Sequence, residues 1–170
     1  MASAPAVLGV VPARFASRRF PGKLLADLCG KPVVVRTVEA AQRATSLSDV
    51  WVATDDVRIG QAVASGCPRT ELVFTDPGCP SGSDRIVAAL GARGFLSTTA
   101  VHDHLVPGTA APQDVLASFP FEAIVNVQGD EPLIDPAHID AAVRGLLDNP
   151  GADIATLVYR LDTTLQTVSC

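Results

Sequence analysis

The sequence predicts an α/β fold in which a mostly parallel sheet is covered by helices on both faces. Three observations carry that expectation. Short apolar runs recur without the polar alternation of a half-exposed strand, as suits strands buried on both sides. Between them lie segments with apolar residues at helical spacing. The two kinds alternate along 170 residues, the pattern of parallel strands joined through crossover helices, and the length suits one domain with a single core.

In chain order, VLGVVP is the first strand, an uninterrupted apolar run. KPVVVRTVEAAQRA is the first helix, with Pro32 suited to its first position because proline needs no N–H partner there. DVWVATDD is the second strand and leads into a helix that runs to about Ala64. ELVFT is the third strand. Ser83 is the expected cap of the helix DRIVAALGAR, where Asp84 meets the positive helix end. EAIVNVQGDEP holds a fourth strand ending near Gln128. Asp135 and Pro136 open the next helix, whose Ile139, Val143, Leu146 and Leu147 form one apolar stripe. ADIATLVYRL is expected to be a fifth strand. The segment 94–121, broken by Pro107, Pro112 and Pro120, does not follow this rhythm and reads as an inserted loop or a lid.

The chemistry-bearing residues fall where strands end. Ligands of an open parallel sheet bind beyond the carboxyl ends of its strands, where loops and helix N-termini converge. Strand one is followed by Arg14, Arg18, Arg19 and Lys23, four of the 13 Lys and Arg in a chain of net charge −5. Strand two is followed by Thr54, Asp55 and Asp56, strand three by DPGCPSGSDR, and strand four by QGDEP. Backbone amides around Ser17 and Gly22, with guanidinium forks and an ammonium, suit a polyphosphate. Asp130 suits a Mg ion, which takes one or two protein carboxylates and completes its shell with phosphate oxygens and water. Neither GxxxxGK[ST] nor a GxGxxG after strand one occurs, so the nucleotide site predicted here is neither a P-loop nor a dinucleotide fingerprint.

VPARFASRRFPGKLLADLCGKP, VWVATDD, PSGSDR and VNVQGDEP together resemble the sugar-activating cytidylyltransferases, and among them the 3-deoxy-manno-octulosonate cytidylyltransferase family, in order and spacing over about 7–158 apart from the insertion. The resemblance implies a Rossmann-like nucleotidyltransferase fold of three layers. It also implies a reaction of CTP with 3-deoxy-manno-octulosonate, an acidic 2-keto sugar, giving the CMP-sugar and pyrophosphate with Mg, in the cytoplasm and for lipopolysaccharide. By resemblance, Arg14, Ser17, Arg19 and Lys23 bind the triphosphate, with Arg14 and Lys23 stabilising charge as pyrophosphate leaves. Asp130 is a Mg ligand, Gln128 lines the sugar and nucleotide pocket, and Ser81, Gly82 and Arg85 shape the cytidine side.

The chain departs from the family in four places. Arg18 and Phe20 replace smaller or aliphatic residues, Ser83-Asp84 replaces Thr-Glu, and the 94–121 insertion is unusual. Beyond DIATLVY the resemblance fades, so the single domain is expected to be C-terminally incomplete, without the second Mg aspartate, much of the sugar site and the homodimer contacts that the family implies. Two alternatives stay open: a cytidylyltransferase for another acidic sugar such as a sialic acid, and a non-catalytic nucleotide-binding subunit.

Other classes find little support. An acidic chain with its positive charge gathered in one loop is not a nucleic-acid binder, which needs a broad basic face. No stretch approaches the ~20 apolar residues that span a bilayer, and MASAPAVLGVV lacks the basic and long apolar parts of a secretory signal, which predicts a cytoplasmic protein. Cys29, Cys67, Cys79 and Cys170 show no CxxC spacing. His102 and His104 fall in the insertion and are expected in a solvated loop, His138 on the surface, and Trp51 in the core.

Overall fold

A computed structural model describes residues 5–16, 20–96 and 119–157. Four parallel strands form one sheet in the order β3-β2-β1-β4: β1 is Val7–Ala13, β2 Asp49–Thr54, β3 Glu71–Phe74 and β4 Ala123–Asn126. The register sets Val10 beside Trp51 and Asn126, and Ala53 beside Val73. Helix α1 spans Val33–Ala41, α2 Val57–Gly66, α3 Gly82–Ala92 and α4 Pro136–Leu147.

Alternation along β1 divides the core between two faces, because successive side chains of a strand point to opposite sides. Val11 and Ala13 join Val34, Val38, Ile59, Val63 and Ile139 from α1, α2 and α4. Leu8 and Val10 join Trp51, Ile86, Ala89 and Leu90, so α3 covers the other face. Three layers result, as the apolar runs predict. No helix among the described residues is long and apolar enough to cross a membrane.

Local chemistry explains the helix starts. Asp56 accepts the Arg58 N–H at 2.9 Å, and Asp135 accepts the Ala137 N–H at 2.9 Å with Pro136 following. Helix α3 is capped by Ser81 rather than Ser83: the Ser81 Oγ accepts the Asp84 N–H at 3.1 Å and donates to the Asp84 carboxylate. The S-x-x-D spacing favours this choice, since the carboxylate three positions on can answer the hydroxyl. Pro32 precedes α1 by one residue instead of opening it.

The expected fifth strand does not form over the described part of its segment. Residues 152–157 carry no strand, Ile154 is 85% exposed and Leu157 46%, and together with β4 and α4 they border a groove of about 550 Å³. Among the described residues the segment does not pair with β4, and no further layer covers its apolar side chains. Within 94–121, only 94–96 and 119–121 are described. Those two ends meet at Trp51, with Phe95 stacked on it at 6.0 Å and Phe121 edge-on at 6.2 Å. Trp51 is a core residue, 4% exposed. A lid role for 97–118, and the environment of His102 and His104, lie outside the described residues. His138 is exposed in the first turn of α4. Cys29, Cys67 and Cys79 are free thiols, and burial pushes the Cys67 thiol up.

Candidate active site

The strand order reverses between β1 and β4: β2 and β3 extend the sheet to one side of β1, and β4 lies on the other. Loops leaving two such strands diverge and open a crevice at their carboxyl ends. A cleft of about 220 Å³ opens there, lined by Pro12 at the end of β1 and Arg14 just after it, Lys23 and Leu24, the cap Ser81 with Gly82 and Arg85 of α3, and Gln128, Gly129 and Asp130 after β4. Seven predicted residues, Arg14, Lys23, Ser81, Gly82, Arg85, Gln128 and Asp130, therefore share one cavity. Ser17 and Arg19, with Arg18, lie outside the described residues.

The loop that carries the cations turns at Gly22, whose φ of 72° is left-handed and therefore favours glycine. Its N–H donates to the Phe15 carbonyl at 3.1 Å, and a Cβ on Gly22 would lie 3.0 Å from the Phe15 ring. The Arg58 guanidinium covers that ring at 3.6 Å from its centroid. Lys23 then opens a short 3₁₀ turn, Lys23–Leu25, anchored by buried Leu24. This places Lys23 Nζ against the Asp130 carboxylate. The two side chains are 33% and 42% exposed, so their pairing holds little free energy and yields readily to a phosphate or a cation.

On the β4 side, Gly129 is needed for close approach. A Cβ there would stand 2.9 Å from the Pro12 carbonyl oxygen. The Gly129 carbonyl in turn accepts the Thr37 hydroxyl at 3.0 Å, and Thr37 is fully buried in α1. Gln128 donates from Nε2 to Asn126 Oδ1 at 3.0 Å. At the α3 end, Ser81 and Gly82 present a helix N-terminus to the cleft, a favourable seat for anionic oxygen. Arg85 lines the same cavity, but its guanidinium is 2% exposed and committed to protein partners: Nη2 donates to Asp55 Oδ2 at 3.0 Å and Nη1 to Thr75 Oγ1 at 2.6 Å.

Among the described residues that line the cleft, Asp130 is the one carboxylate. Among the described residues no group of three or more His, Cys, Asp or Glu could hold a metal ion, so a metal at Asp130 would draw most of its ligands from water and bound phosphate, as Mg does.

Comparison with known proteins agrees with this fold. A cytidylyltransferase family model matches residues 8–102 and 92–168. The chain belongs to the cytidylyltransferase family. Its curated relatives include 3-deoxy-manno-octulosonate cytidylyltransferases of Geobacter sulfurreducens, 41% identical over 92% of this chain and 52% of the relative, and of Protochlamydia amoebophila, 38% identical over 91% and 51%. Among solved structures, a CMP:2-keto-3-deoxy-manno-octonic acid synthetase complexed with CTP superposes with a TM-score of 0.65 at 32% identity, over 86% of this chain and 49% of that one. A nucleotidyl transferase from Methanothermobacter, 22% identical at a TM-score of 0.56, shares the fold. This cytidylyltransferase-family chain thus spans about half the length of the curated relatives it matches.

Three residues of the site were given no role by the sequence: Phe15 and Asp55, although both lie inside the quoted motifs, and Thr37. A threonine on the apolar face of α1 is a visible signal for Thr37. Asp55 follows a strand in a polar cluster, but nothing local distinguishes it from its neighbour Asp56.

Proposed function

We propose that the cleft binds CTP and that the chain is the nucleotide-binding half of an enzyme that transfers CMP to 3-deoxy-manno-octulosonate, in the cytoplasm and for lipopolysaccharide biosynthesis. The observation that carries the proposal is the convergence of Arg14, Lys23, the α3 N-terminus and Asp130 on one cavity at the switch point of the sheet. The curated relatives named for that activity and the CTP-bound synthetase of similar fold support it.

In the proposed reaction the sugar's anomeric hydroxyl attacks the α-phosphorus of CTP. The bond from that phosphorus to the bridging oxygen breaks, pyrophosphate leaves, and the hydroxyl proton passes to solvent. Such chemistry needs positioning and charge neutralisation more than an acid or base side chain. Arg14 and Lys23 would neutralise the departing phosphates, with Ser17 and Arg19 from the same loop on the triphosphate. Ser81 and Gly82 would border the nucleoside, and Gln128 the junction with the sugar. Asp130 would hold Mg, which when bound supplies further charge neutralisation at phosphate oxygens. Lys23 would then exchange its contact with Asp130 for one with phosphate.

The alternative readings are a nucleotide-binding subunit without turnover and a cytidylyltransferase for another acidic sugar such as a sialic acid. Calorimetric titration with CTP and Mg, followed by pyrophosphate release with 3-deoxy-manno-octulosonate or a nonulosonate, separates these readings. Binding with turnover of the octulosonate is the expected result. Binding without turnover of any acid sugar would favour the subunit, turnover of the nonulosonate alone would reassign the sugar, and absence of CTP binding would reject the site.

A further inference from the structure

The Asp55–Arg85 pair lies beneath the cleft floor, and only Arg85 of the two belongs to the cavity lining. Asp55 is 10% exposed at the side chain and Arg85 2%. Burying two charges costs more than their attraction returns unless the remaining donors and acceptors are also satisfied. Here they are turned to two different loops. One Asp55 oxygen, Oδ1, accepts the Phe15 backbone N–H at 3.4 Å, the long end of a hydrogen bond. The other, Oδ2, accepts Arg85 Nη2 at 3.0 Å. Arg85 stands in the first turn of α3, next to the Ser81 and Gly82 that line the cleft. Its second arm reaches Thr75 Oγ1, and the Thr75 N–H donates to the Thr54 carbonyl at 2.9 Å, at the end of β2.

Phe15 is the first turning point of the cationic loop. Its N–H faces Asp55 and its carbonyl accepts the Gly22 N–H, so the chain from Arg14 to Lys23 is closed at its base through Phe15. Its ring is held between Gly22 and the Arg58 guanidinium. Any shift of Phe15 moves Arg14 directly and Lys23 through that closure.

We infer that Asp55 is a positioning residue that sets the distance between the cationic loop after β1 and the N-terminus of α3, with Arg85 as its counterpart, so that both ends of one bound nucleoside triphosphate meet preformed partners. Asp55 touches neither phosphate nor base. Its carboxylate fixes two loops through one rigid fork, and the guanidinium supplies geometry that an ammonium lacks. This inference rests on the cleft as the CTP site, and it assigns Arg85 to the scaffold rather than to direct contact with cytidine.

The test compares the full chain with Asp55→Glu, which keeps the negative charge beside Arg85 but carries it one methylene further from β2. A second variant, D55N/R85Q, removes both charges and guards against misfolding from an unpaired buried charge. Amide hydrogen exchange reads the loops without ligand, and a CTP titration with Mg reads the site. In Asp55→Glu the expected result is faster exchange in both 14–25 and 79–86, unchanged protection at Val10 and Val52 in the sheet, and CTP binding weaker by roughly 10–100-fold, the scale of one charge-assisted hydrogen bond lost. D55N/R85Q is expected to give the same two-loop pattern.

Faster exchange in only one loop, in neither, or across the whole sheet would overturn the coupling, as would CTP binding equal to wild type despite loosened loops. If the wild-type chain itself binds no CTP, the cytidylyltransferase reading fails, and the exchange pattern alone still decides whether Asp55 ties the two loops.

Discussion

The two flanks of β1 are finished differently. On the β2 side every strand end is tied across: Asp55 to Arg85 and Phe15, Arg85 to Thr75, Thr75 to Thr54. On the β4 side the sheet stops at an edge, with Ile124 36% exposed, Ile154 and Leu157 uncovered, and a groove between them and α4. The cleft sits between these flanks. The contrast shows that the wall bearing the nucleotide motifs is braced by this chain's own residues, while the wall beyond β4 lacks an outer layer among the described residues.

The braced flank breaks first at Arg85. Arg85→Met strands a buried Asp55 carboxylate, and denaturant unfolding is expected to show a loss of about 3–5 kcal/mol; a loss under 1 kcal/mol would mean that the pair carries no structure. At the cleft, Arg14→Ala and Lys23→Ala are expected to leave stability nearly intact, since Arg14 is exposed and Lys23 half-exposed. Each should lower CTP-dependent pyrophosphate release by about 3–4 kcal/mol of transition-state stabilisation, by analogy with preorganised donors in other enzymes. Normal turnover in both variants would remove them from the site.

The open flank is sharpened by charge. An edge strand with apolar neighbours invites pairing with another chain, so sedimentation of the wild-type chain should show association that grows with concentration. Ile124→Lys should shift it toward monomer. A wild-type chain that stays monomeric would show that the groove is harmless.

The smallest effect concerns the tether of α4 to the turn after α1. The Asp140 carboxyl is lowered from 3.8 to about 2, chiefly by the Ser46 hydroxyl; burial opposes this, and the Ser46 N–H and Thr45 hydroxyl add to the lowering. Because the folded value lies below the unfolded one, this tether contributes in full above pH 3.8 and is lost as pH falls toward 2. Asp140→Asn should lower the melting temperature slightly at pH 7. The difference from wild type should shrink as the pH is lowered through that window, and a difference independent of pH would assign the effect to packing instead.

Much of this molecule is legible along the chain. Apolar runs without alternation mark β1 and β2, D-P marks the start of α4, and the rule that ligands gather beyond parallel strand ends places Arg14, Lys23, Ser81 and Asp130 together from the sequence alone. These features rest on local propensity and on the fixed direction of a parallel sheet, both of which act over a few residues. The pairing of Asp55 with Arg85 joins positions 30 apart, and that of Thr37 with Gly129 positions 92 apart. Such contacts depend on how the layers settle against each other, and no local pattern encodes that distance. The same holds for residues 152–157, whose composition suits a strand. A strand also needs a partner edge and a covered face, and only the packing around β4 decides whether it has them.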